Sequence, residues 1–139
     1  MSVFIVNRCF ILDDKKRILL VRRSWNDSYY PGFWECPGGK LDEGEDLTEA
    51  LAREVLEETN LLIKMKEPLV SIQSQVLTEG RYAGNTYVMI FSVAEKIGGE
   101  VKLSAEHSSH AWTTFNDILE YDLTPEVRKS LMVMRSYLV

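Results

Sequence analysis

Cysteine is scarce in this 139-residue chain: Cys9 and Cys36 are its two thiols. They are too few and too far apart for a disulfide framework or a four-ligand zinc site. Cys9 lies in an apolar run and is expected in the core, whereas Cys36 flanks a glycine pair and is expected to be more accessible. Basic residues are outnumbered, 16 Lys and Arg against 21 Asp and Glu, giving a net charge of −5 and a pI near 5.1. Sequence-independent binding to DNA or RNA relies on Lys and Arg neutralising phosphates, so no nucleic-acid polymer is expected as a partner. No apolar stretch reaches membrane-spanning length and no charged-then-apolar leader is present, which predicts a cytoplasmic protein without membrane contact. Two histidines, His107 and His110, stand three apart without a third ligand and do not make a zinc site. What is present, 45% hydrophobic and 27% charged residues, suits a single globular domain over 1–139 with no repeat or linker.

Taken in order, residues 3–12 (VFIVNRCFIL) are rich in apolar and β-branched side chains and predict a buried strand. A polar turn at 13–16 leads to a second strand at 17–23, and the two are expected to form a hairpin. Arg22 and Arg23 end that strand on opposite faces, so at most one of them faces a site. The loop at 24–37 is rich in aromatics, and Trp25, Tyr29, Tyr30, Phe33 and Trp34 are candidates for stacking on a base. Core packing is the competing expectation for Phe33 and Trp34. Further on, an extended segment at 61–64 is expected to break at Pro68. Strands at 69–77 and 85–95 follow, joined by a hairpin connection with Arg81 and Tyr82 near its tip. A turn at 96–100, a short strand at 101–103 and a segment at 104–115 holding Glu106 and both histidines come next. Two helices close the chain, the first capped by Asn116, the second starting at Thr124 and Pro125 with Leu131, Met134 and Leu138 as its packing face. The sum is an α/β fold, a mixed β-sheet between α-helices.

The stretch 38–61, GGKLDEGEDLTEALAREVLEETNL, carries the chemistry. Thr48 is placed to cap a helix on which Leu47, Leu51 and Val55 recur every fourth residue. Glu54, Glu57 and Glu58 then share an arc of about 100° on that helix. Carboxylates this close repel one another unless a cation sits among them. Mg²⁺ takes oxygen ligands and keeps coordination positions for a substrate phosphate, so it is the natural candidate. A solvated acidic helix face is the alternative. Arg53 is placed to pair with Glu49 or Glu57, one turn away on either side.

The same stretch resembles the Nudix box, G-x5-E-x7-R-E-U-x-E-E-x-G-U with U a bulky aliphatic. Gly39, Glu45, Arg53, Glu54, Val55, Glu57, Glu58 and Leu61 occupy its fixed positions, and GFWECPGG resembles the segment that precedes the box in many members. Asn60 stands where the pattern has Gly, just past the helix end, where Asn is the next best residue for a left-handed conformation. The resemblance implies a Nudix fold and a MutT-like pyrophosphohydrolase that uses Mg²⁺, with Mn²⁺ as a substitute. It implies metal ligation by the Gly38 carbonyl, Glu54, Glu57 and Glu58. Glu54, Glu57, Arg53 and Glu106 become the catalytic set, with Arg53 paired to Glu45 and Glu106 as a further metal ligand or base. Proton acceptance stays open among Glu54, Glu57 and Glu106, with Glu54 preferred. Arg22, Arg23, Trp34 and Arg81 are the expected substrate contacts. The implied reaction is hydrolysis of a phosphoanhydride in a nucleoside diphosphate linked to another group, first of all a (d)NTP or modified nucleotide, by a metal-activated water. ADP-ribose or a nucleotide sugar, a dinucleoside polyphosphate, or a nucleotide-sensing module without catalysis are the alternatives. Retention of all three helix carboxylates weighs against the last. Pairing into a homodimer stays open.

Overall fold

The computed structural model describes residues 2–78 and 80–138, with side chains for all of these except 67–69 and 136–138. Strand β1 (Val3–Leu12) runs parallel to β6 (Thr86–Gly98), in register from Val3 opposite Thr86 to Leu12 opposite Glu95. Beyond β6 lies β5 (Leu62–Val76), antiparallel to it and at the sheet edge. On the other side, β2 (Ile18–Arg23) pairs with the short β3 (Trp34–Glu35) and with β7 (His107–Thr113). A three-residue strand, β4 (Gly38–Lys40), pairs antiparallel with Val6, Asn7 and Arg8 of β1.

Strand alternation decides which side chains go to which face. Phe10, Leu12, Ile18 and Leu20 enter one core, while Cys9, Ile11, Leu19 and Val21 enter the other. Helix α1 (Leu47–Thr59) closes the second core with Leu51 and Val55. Helix α2 (Pro125–Leu138) closes the first with Val127, Leu131 and Met134; the side chain of Leu138 lies outside those described. Both sheet faces are therefore covered, which explains why β1 and β2 read as near-continuous apolar runs. Among the described residues no helix is long and apolar enough to cross a membrane.

Several local expectations are corrected. The first two strands meet only at Leu12 and Ile18 and then diverge, because β4 takes the pairing positions on β1 that a full hairpin would use. Strand β5 continues through Pro68, with a register shift between Lys66 and Val70; an edge position tolerates a residue that lacks an N–H donor. The segment 101–103 is not a strand: Lys102 N–H donates to the Thr59 carbonyl, tying this stretch to the end of α1. The element after Asn116 is a single 3₁₀ turn, Ile118–Glu120. Cys36 is buried, and burial pushes both thiols above their ordinary value, so neither is a reactive group.

Candidate active site

Divergence of β1 from β2 opens a cavity of about 560 Å³, lined in part by Arg8, Gly38, Gly39, Glu54, Glu58 and Glu106. Local sequence fixes how α1 enters it. Asp46, not Thr48, is the N-cap: its carboxylate accepts a hydrogen bond from the Glu49 N–H at 3.0 Å. At the far end Asn60 adopts the left-handed conformation with φ of 65°. With the helix phase set by Leu51 and Val55 against the sheet, Glu54 and Glu58 face β4 and the cavity. Glycine is required on that strand. A Cβ on Gly39 would lie 2.8 Å from Glu54 Oε2, and one on Gly38, whose φ is 147°, would collide with the Asn7 carbonyl oxygen.

Glu58 is 4% exposed, and among the described residues its Oε1 has no hydrogen-bond partner. Burial, reinforced by the carboxylates of Glu35, Glu106 and Glu54 and opposed by Arg8, pushes its pKa up to about 9. Glu54 is raised for the same reason, burial first, with Glu57 and Glu106 adding to it and Arg53 opposing. Glu57 is turned outward: Arg53 donates to it at 3.0 Å and to Glu45 at 2.8 Å, and lies 3.4 Å from Glu54. A deeper layer supports Glu58. The Nδ1 of His107 lies 3.8 Å from Glu58 Oε1, and its Nε2 is 2.8 Å from Glu35 Oε2. Arg23 donates to the other Glu35 oxygen at 2.8 Å, and Arg8 lies 3.4 Å from it. Although burial alone raises a carboxyl, these neighbours overcome it and hold Glu35 down at about 2. An acid kept neutral by burial, with a free oxygen facing other carboxylates, fits a hard divalent cation: the ion would supply the charge compensation the cluster lacks.

Of the expected substrate contacts, Arg23 and Arg81 line the cavity. Arg23 is already engaged, by Glu35 and by Asp27 at 2.7 Å. Arg22 and Trp34 do not line it. Arg22 donates to the Gly32 carbonyl at 2.8 Å and stacks on Trp25 and Trp34, while Trp34 meets Tyr121 edge-on at 5.2 Å. Gly38, Glu54, Glu58 and Glu106 line the cavity; Arg53 and Glu57 stand beside it. Sequence reasoning missed Arg8, Glu35, Lys40 and His107. The signal for Arg8 was a charge inside an otherwise apolar strand, which must be paired there. Lys40 sits 4.3 Å over the Phe4 ring and 5.5 Å over Tyr82. A second cavity of about 220 Å³ shares Arg8, Arg23, Tyr29, Lys40, Leu77 and Tyr82 with the first and is also lined by Tyr87, Met89 and Glu126. There the Tyr29 hydroxyl donates to Glu126 at 2.9 Å, and the Tyr87 hydroxyl has no hydrogen-bond partner among the described residues.

The profile of the NUDIX domain matches residues 5–133. A nucleoside triphosphatase NudI from Escherichia coli O139:H28 is 28% identical over 128 residues, 88% of this chain and 91% of that protein. The crystal structure of a MutT protein from Methanosarcina mazei Go1 superposes with a TM-score of 0.81 at 29% identity, over 98% of this chain and 95% of that one. The fold is shared with a C. elegans Ap4A hydrolase, with a TM-score of 0.75 at 22% identity over 99% and 98% of the two chains.

Proposed function

The chain belongs to the NUDIX domain family, as an enzyme of that family, and on that premise we propose a Mg²⁺-dependent pyrophosphohydrolase acting on nucleoside triphosphates. The observation that carries the proposal is the buried Oε1 of Glu58, unpartnered among the described residues, in a cavity also lined by the Glu54 and Glu106 carboxylates. Glu54, Glu58 and the Gly38 carbonyl would hold the ion, with Glu57 joining once it leaves Arg53. Bound there, a divalent ion shields the polyphosphate and polarises a phosphoryl oxygen.

The protein's own groups do the rest. Lys40 and Arg81, cations that line the cavity and lie over the rings of Phe4 and Tyr82, take the phosphate charge. The smaller cavity, walled by tyrosines, takes the base: its aromatic faces suit a ring, and the buried Glu126 carboxylate offers an acceptor to a base N–H. Water attacks phosphorus in line with the bridging oxygen, its proton passes to Glu54, and the P–O bond of the anhydride breaks to release pyrophosphate and a nucleoside monophosphate. Glu54 suits this task by position: it lines the cavity, with its carboxylate against Gly39 of the glycine strand. The NudI relative, described as a nucleoside triphosphatase, supports the substrate class.

The test is pyrophosphate release across a panel of canonical and oxidised triphosphates, ADP-ribose, nucleotide sugars and dinucleoside polyphosphates, with wild type and Glu58→Gln. A triphosphate preference that vanishes in the variant supports the proposal. Cleavage confined to ADP-ribose or dinucleoside polyphosphates would reassign the substrate. Tight nucleotide binding without turnover would point to a sensor.

A further inference from the structure

His107 is tied to the helix carboxylates through an arrangement that its sequence neighbours do not reveal. It opens β7, is 7% exposed, and follows Glu106, which faces the cavity from the preceding turn. Ligand atoms of Glu58, Glu106 and His107 all lie within 4.8 Å of one another. Donors sharing one octahedral ion at about 2.1 Å are separated by about 3.0 Å when adjacent and about 4.2 Å when opposite. The 3.8 Å between His107 Nδ1 and Glu58 Oε1 falls inside that span; the widest separation in the trio, up to 4.8 Å, exceeds it, so an ion would draw the three side chains together on binding.

The hydrogen-bond pattern then selects which ring nitrogen is available. Glu35 is bound by two guanidiniums, Arg23 at 2.8 Å and Arg8 at 3.4 Å, so its carboxylate is an acceptor only. His107 Nε2, 2.8 Å from Glu35 Oε2, must therefore carry a hydrogen and donate it. In the neutral ring that leaves a lone pair on Nδ1. This atom is buried, has no hydrogen-bond partner among the described residues, and faces the equally unpartnered Glu58 Oε1. A carboxylate that fixes the tautomer of a histidine whose other nitrogen faces an ion is a recurrent support for metal ligation.

We propose that His107 Nδ1 is a nitrogen ligand of a divalent cation shared with Glu58 and Glu106, with Glu35 as the residue that orients it. The inference deepens the metal dependence proposed above and rests on that reading for its biological meaning, but not for its test. An imidazole in the coordination set shifts preference away from Mg²⁺, which favours oxygen, toward Mn²⁺ and later transition ions. The enzyme would then bind Mn²⁺ more tightly than an all-oxygen site does.

Pulsed EPR on Mn²⁺ bound to the nucleotide-free protein reads this directly, because a ligating imidazole couples ¹⁴N to the electron spin. The expected result is ¹⁴N modulation in wild type that changes to the ¹⁵N pattern when histidine is ¹⁵N-labelled. It should survive in His110→Gln and disappear in His107→Gln, with Mn²⁺ binding weakened about 10- to 100-fold in the latter. A histidine that merely holds Glu35 in place would give no such coupling. If wild-type protein binds Mn²⁺ without histidine coupling, the inference is overturned whether or not the His107 variant folds. Turnover of triphosphates in that same preparation would leave the proposed function standing. Coupling without turnover of any nucleotide would do the reverse.

Discussion

Arg53 donates to Glu45 at 2.8 Å, tying the acidic turn after the glycine strand to the middle of α1. The same guanidinium reaches Glu57 one turn along, so a single side chain sets the spacing of the turn and the helix carboxylates. Both partners are solvent-facing, and an exposed pair adds little to stability. Arg53→Ala should therefore leave the thermal unfolding midpoint nearly unchanged while lowering kcat/KM about 10- to 100-fold, the usual cost of losing a group that orients a metal ligand. Paired thermal melts and kinetics check this. A large fall in stability with little change in kcat/KM would assign Arg53 to the fold instead.

Two adjacent glycines should behave differently. Gly38 carries a φ of 147° and its α-carbon lies against the β1 backbone, so Gly38→Ala should impair folding itself. At Gly39 the obstructing atom is Glu54 Oε2, the end of a side chain that can move. Gly39→Ala should fold, with circular dichroism like wild type, and lose about 100-fold in kcat, because small displacements of a reacting group carry costs of that order. A fully active Gly39→Ala would show that Glu54 works from another position.

The helix, its left-handed end at Asn60 and the placement of Glu54 and Glu58 at the cavity were legible because they follow from periodicity and fixed spacing, whereas Glu57, expected on the same face, turns outward to Arg53. Strand positions were legible where β-branched runs ended in polar turns. Partner choice was not. That β1 pairs in parallel with β6, 83 residues away at Val3 and Thr86, depends on both faces being buried, which no local window reports. Arg22 and Arg23 show how far alternation reaches: it sends them to opposite faces, but only the fold shows that Arg23 meets Glu35 and Arg22 meets Trp25. The role of His107 escaped for a similar reason. Its partners, Glu35 and Glu58, come from β3 and α1, and a search for a histidine-rich zinc spacing looks past a single histidine among carboxylates.

Glu35 should dominate acid sensitivity of the metal-free protein. Its pKa falls from an ordinary value of 4.5 to about 2 on folding, so its contribution is complete above pH 4.5 and lost as pH falls through 2. That difference corresponds to about 3 kcal/mol. Urea unfolding in EDTA should show wild type and Glu35→Gln separated by about 3 kcal/mol at pH 7 and converging toward pH 2. A gap that stays constant across this range would mean that the variant loses packing and not charge pairing.

Glu58 has the opposite sign. Its pKa rises on folding to about 9, so the folded state holds a proton that the unfolded chain has released. Stability from this group is complete below about pH 4.5, where both states are protonated, and declines as pH rises toward 9. Without metal, wild-type protein should melt at progressively lower temperature from pH 5 to 9, and Glu58→Gln, which cannot ionise, should show a shallower decline. A divalent ion that binds the ionised carboxylate removes the penalty, so saturating Mg²⁺ should raise the wild-type melting temperature more at pH 8.5 than at pH 5.5. The Gln variant should gain much less. A stabilisation by Mg²⁺ that was equal in both proteins at both pH values would place the ion away from Glu58, and with it the proposed centre of catalysis.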